Sequence, residues 1–138
     1  MQKTITLCGR HVEMIYCSAT ENGYEDLSGK SIQVFVPTYG KDAEGNDIIV
    51  APAEAKIGDY VTLAIAGIMA AYAQKEQDAP VGPKDILFKI NGKERNEMIT
   101  SIIELRNKWY DIPAVVKDMI KADASDSNDD KKGDEGKN

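Results

Sequence analysis

The sequence predicts an α+β protein, mainly α, in which an N-terminal β-hairpin packs on a small helical bundle. Three observations point there. The first 16 residues alternate in polarity on either side of a glycine, as a hairpin does. Two later stretches, 59–74 and 94–110, repeat apolar residues at helical spacing, the mark of amphipathic or buried helices. Gly and Pro fall outside the two helical stretches, apart from Gly67.

The hairpin is read from "TITLCGRHVEMIY", with Gly9-Arg10 as its two-residue turn. That turn sets Leu7 opposite Val12 and Ile5 opposite Met14, making one side of the ribbon apolar. Two strands alone are marginal, so this face must pack on something else. Pairing within the chain and pairing across a dimer both satisfy the pattern, which leaves a homo-oligomer open.

Ser18 then opens "SATE", a capping box with Glu21 as its reciprocal acceptor. A short helix follows, with Tyr24 and Leu27 three apart, and stops at Gly29. Gly23 weakens it, so it must lean on tertiary contacts. "SIQVFVP" reads either as a strand or as one more helical turn before Pro37. Residues 37–58 read either as a second hairpin, turning at "DAEGND", or as a loop.

Asp59 is placed to N-cap the next helix, which runs to about Gln74. Its Ala64, Ala66, Gly67, Ala70 and Ala71 suit the close approach of another helix. Pro83 suits the first turn of a short helix, "KDILFKI", and Asn91-Gly92 breaks the chain again. In the helix at 94–110, Met98, Ile99, Ile102, Ile103, Leu105 and Trp109 form one apolar face. Glu94, Arg95, Glu97, Glu104, Arg106 and Lys108 take the other side. Pro113 introduces a last short helix, "AVVKDMIK".

From residue 122 the chain carries six acids against three lysines and no aromatic or large aliphatic side chain. Such a segment buries too little to offset its ordering entropy and is expected to be disordered. The organisation is therefore one globular domain, 1–121, and an acidic tail, 122–138. The tail holds −3 of the net charge of −6, so the domain is acidic as well. That balance disfavours a binder of nucleic-acid backbone.

The most apolar run, residues 60–73, is shorter than the roughly 20 residues a membrane span needs. Residues 1–17 lack a signal-peptide core. A cytoplasmic protein is expected. His11 is the sole histidine; with Cys8 it makes half a metal site at most, and Cys17 lies too far along the hairpin to bond Cys8. No nucleophile–base set, phosphate loop or calcium loop is recognised. The expectation is no enzyme, no cofactor and no metal.

Three stretches carry a family resemblance: "YCSATENGYEDLSGKSIQVF", "DYVTLAIAGIMAAYA" and "DILFKINGKERNEMITSIIELRNKWYDIPAVV". Their order and texture, over roughly residues 16 to 116, resemble the tail assembly chaperones of tailed bacteriophages and prophages. The resemblance implies a mainly helical, acidic protein without an active site. Such a protein binds the long helical tape measure protein and keeps it soluble while the tail tube forms. It further implies a longer, frameshifted form that recruits the tail tube protein, and Lys131-Lys132-Gly133 fits an A-rich slippery run. The insertion at 37–58 departs from the family pattern. A structural tail-completion or connector subunit of the particle is the alternative reading.

For partner contact, the sequence singles out Trp109 and Tyr110. Being adjacent, they cannot share one narrow helix face, so one leans to the rim. Leu63 and Tyr72, on the Ala-rich helix, are assigned the opposite wall.

Overall fold

The computed structural model of the chain describes residues 2–111. Two antiparallel hairpins and four helices follow in the order β1 (Gln2–Leu7), β2 (Arg10–Ile15), α1 (Ser18–Ser28), a 3-10 turn (Ile32–Phe35), β3 (Thr38–Lys41), β4 (Asp47–Ala51), α2 (Ile57–Gln74), α3 (Pro83–Lys89) and α4 (Gly92–Trp109). This is the α+β, mainly helical class that the sequence predicts. The tail 122–138, the helix read at 114–121 and Lys131-Lys132-Gly133 lie outside the described residues.

The first hairpin forms within the chain, with Leu7 opposite Arg10, Ile5 opposite Val12 and Lys3 opposite Met14. Its turn is therefore Cys8-Gly9, not Gly9-Arg10. Both turn residues have positive φ, 54° and 74°, the conformation whose twist matches a two-residue hairpin. The slip is two residues, an even number, so the faces are unchanged. Ile5, Leu7, Val12 and Met14 all point inward and are buried. Each contributes about 2 kcal/mol relative to an exposed side chain.

That apolar face lies against α2 and α4. Gly67 makes the approach feasible. A Cβ there would sit 2.8 Å from the Ile15 carbonyl oxygen and 2.9 Å from Ile102 Cδ1. The small residue mid-helix thus admits a strand as well as a helix. On the other side α1 packs along α2. Gly23 there would bring a Cβ to 3.3 Å from that of Ala66, the tertiary contact that offsets its poor helix propensity.

"SIQVFVP" becomes the 3-10 turn, which sends Phe35 inward between Tyr24 (4.9 Å between ring centroids) and Tyr60 (5.0 Å), both edge-on. Residues 37–58 hold a true hairpin, β3–β4. It stands off the body, with no more than glancing contact to the other described elements.

The helix ends differ from the expected caps. Cys17 precedes α1, and Thr20, not Glu21, closes the cap: its Oγ1 accepts from the Cys17 amide at 3.2 Å and donates to the Ile15 carbonyl at 3.0 Å. Asp59 sits in the first turn of α2 rather than at its cap, accepting from the Lys56 amide at 2.8 Å. Asn91 caps α4 as a full box with Glu94. Leu27 turns to solvent while Tyr24 goes inward. Arg106, assigned to the outer side of α4, is buried.

Candidate partner-binding surface

The chain leaves β2 at Tyr16 and enters α1 immediately, so α1's first turn lies beside the end of the strand. The C-terminal end of α4 arrives at the same corner. Tyr16 is enclosed there, its ring 6.2 Å from that of Trp109 and 6.3 Å from that of Tyr110. Its hydroxyl donates to Glu21 Oε2 at 2.7 Å, and the Tyr110 hydroxyl donates to the same oxygen. The Arg106 guanidinium lies 4.9 Å from the Tyr110 ring centroid, in cation–π contact. Glu21, freed from the helix cap, is the pin that joins α1 to the end of α4.

Burial pushes the Tyr16 hydroxyl well above the usual tyrosine range, and its bond to Glu21 adds to the rise. Tyr110 is raised for the same two reasons, burial first. Both phenols therefore remain neutral donors to Glu21 across ordinary pH. The result is a fixed aromatic edge, with Trp109 43% and Tyr110 46% exposed. Half of each ring packs on the body and half faces outward, the amphipathic placement aromatic side chains take at interfaces.

The assigned opposite wall lies elsewhere. Leu63 is fully enclosed in the core. Tyr72 is buried too, its hydroxyl accepting from the Glu13 amide at 3.1 Å, with Lys75 4.5 Å over its ring. Tyr72 thus ties α2 to the first hairpin, and Leu63 belongs to the core. The structure brings Trp109 and Tyr110 together on the surface and leaves Leu63 and Tyr72 inside.

Other exposed apolar groups went unread in the sequence. On α3, Leu87 is 59% and Phe88 81% exposed. The signal was present: a seven-residue helix carrying Ile-Leu-Phe in a row turns only one of the three inward, and Ile86 is the buried one. On the second hairpin, Tyr39, Ile48 and Val50 are exposed.

Cys8 is exposed in the hairpin turn, Cys17 is half-buried, and both are free thiols. His11 is opposite Thr6 rather than facing Cys8. Among the described residues no group of three or more His, Cys, Asp or Glu side chains is arranged to hold a metal. No helix among them is long and apolar enough to cross a membrane. Comparison with protein-family models, curated proteins and solved structures gave no match.

Proposed function

We propose that this chain is an interaction protein of the tail assembly chaperone kind, acting in the bacterial cytoplasm on a helical client, the tape measure protein of a phage tail. The observation that carries the reading is the pinned aromatic edge of Trp109 and Tyr110 on an acidic body. Rigid, half-exposed aromatic rings bind apolar helix faces with little ordering cost. The negative charge keeps chaperone and bound client apart from other copies. The resemblance of residues 16–116 supplies the identity of the client, and the frameshifted form would add contact with the tail tube protein.

The test is co-expression with the longest helical protein encoded beside this gene, followed by pull-down. The client is expected to be soluble only in the presence of this chain and to co-purify with it. Trp109→Ala should weaken capture by about 2 kcal/mol, the scale of an interface hot spot, while the helical spectrum is unchanged. A client that is soluble alone and ignores this chain ends the reading. Recovery of the chain from purified particles would favour the structural tail subunit.

A further inference from the structure

Asp111, directly after the aromatic edge, has a φ of 52°, the left-handed conformation that side chains other than glycine's seldom adopt. Before it, the Tyr110 amide still donates to the Arg106 carbonyl at 3.0 Å, while the Asp111 amide donates to the Lys108 carbonyl at 3.2 Å. A left-handed residue just past a helix ends it and turns the chain back across the helix end, and Pro113, two positions on, keeps the helix from resuming. The turn is made beside Asn107, one helical turn earlier on the same side of α4. Asn107 is 1% exposed, and neither atom of its side-chain amide has a hydrogen-bond partner among the described residues. Buried amides are almost always bonded, so Asn107 marks a place where another polar group belongs.

The sequence that follows suits that place. Ile112, Val115, Val116, Met119 and Ile120 recur at i, i+3, i+4, i+7 and i+8, the pattern of one apolar helix face. A helix of that length is marginal alone in water, so its apolar face needs a surface. Reach selects which one. Ten helical residues span about 15 Å. The exposed Leu87 and Phe88 of α3 lie at the opposite end of α4, whose 18 residues make about 27 Å. Trp109 and Tyr110, half exposed, lie where the segment begins. Charge agrees: residues 112–121 carry Lys117 and Lys121 against Asp118, a sign opposite to that of the acidic body.

We infer that residues 112–121 return as a short helix over the Trp109–Tyr110 edge, give Asn107 its missing backbone partner, and keep the edge closed until a client displaces them. The segment is then an internal stand-in for the client: an apolar helix face on the same two rings. Its tether holds it at an effective concentration near millimolar, so the chain's own segment takes the site ahead of a second copy's. The closure needs only this chain. The displacement step rests on the client-binding function proposed above.

Trp109 is the sole tryptophan of the chain, so its fluorescence in the full-length protein reads the closure without a client. Val116→Asp with Met119→Asp should move its emission to longer wavelength and make it easier to quench with acrylamide, while the amides of α2 stay protected from hydrogen exchange. Lys117→Gln, on the polar face of the segment, should leave emission and quenching as in the parent. Amides 117–121 should exchange slowly in the parent and fast in the double variant. A Trp109 signal indifferent to the double variant, or amides 117–121 that exchange in the parent at the rate of a free chain, would overturn the closure. A Trp109 emission that changes with protein concentration would give the site to a second copy's segment and overturn it as well. In co-expression the double variant should capture more client than the parent does. Equal capture of a client that both retain removes the displacement step, whereas a client that neither retains ends the proposed function and leaves the Trp109 result standing.

Discussion

At the residue scale, Asp59 shows how much one side chain can hold. It is buried beside Tyr24 and Phe35's ring cluster, and its carboxylate accepts from the Lys56 amide at 2.8 Å, the Tyr24 hydroxyl at 3.0 Å and Lys30 Nζ at 3.0 Å. Burial alone would raise its pKa. The Lys56 amide and the Lys30 and Tyr24 side chains outweigh burial and hold it below the usual range. Lys30 is more than half exposed, so its charge is screened and the two neutral donors matter more. A carboxyl group lowered by folding contributes its stabilisation above the unfolded value, about 3.9, and loses it as the pH falls through the folded one. Asp59→Ala should therefore cost about 2 to 3 kcal/mol at neutral pH, the worth of hydrogen bonds to a charged group. Urea unfolding at pH 7 and again near pH 3 checks both magnitude and sign. The variant should lose less on acidification than the parent, and parallel acid limbs would refute the assignment. Tyr24 is the alkaline counterpart: burial first, then its bond to Asp59, push its hydroxyl up to about 12. Its contribution is complete below the unfolded value near 10 and is lost as the pH rises from there toward 12.

At the element scale, the first hairpin is clamped at its tip as well as along its face. Glu94, in the first turn of α4, accepts from the Asn91 amide at 3.1 Å through one oxygen and from the Cys8 amide at 3.0 Å through the other. One carboxylate thus caps a helix and ties down a turn. Glu94→Ala should cost about 1 to 2 kcal/mol, the scale of a lost cap, and should speed hydrogen exchange at the Cys8 amide. An unchanged Cys8 exchange rate would leave Glu94 as a helix cap alone. This clamp was not legible in the sequence, because Cys8 and Glu94 are 86 positions apart and nothing local marks their meeting. What was legible was the periodic part. The apolar face of the hairpin was assigned correctly, and that of α4 from Met98 to Leu105, since they depend on parity and helical spacing. At the end of α4 the assignment fails, with Trp109 half exposed and Arg106 buried. The turn was misplaced because Cys8-Gly9 and Gly9-Arg10 give the same parity and differ only in which residues take positive φ. The aromatic edge was half legible. The crowding of Trp109 beside Tyr110 was visible, whereas Leu63 and Tyr72 needed the depth at which α2 lies, which no single-helix pattern encodes.

At the scale of the whole molecule, charge and apolar exposure oppose each other. The chain carries a net charge of −6 at neutral pH, and the described part exposes apolar groups on α3, on the second hairpin and at the aromatic edge. Repulsion between copies keeps those patches from collecting. That protection vanishes near the isoelectric point of about 4.8. Asp59 is still ionised there, because its folded pKa lies below the ordinary carboxylate range. Loss of charge should therefore precede loss of fold. Light scattering is expected to rise as the pH is lowered toward 4.8 while the far-ultraviolet circular dichroism is unchanged. Leu87→Ser with Phe88→Ser removes the most exposed apolar pair without touching the core, so it should reduce the scattering and leave the spectrum and the urea midpoint at neutral pH as they were. If the helical signal falls together with the rise in scattering, the associating species is unfolded, and the exposed side chains of the native state are not its cause.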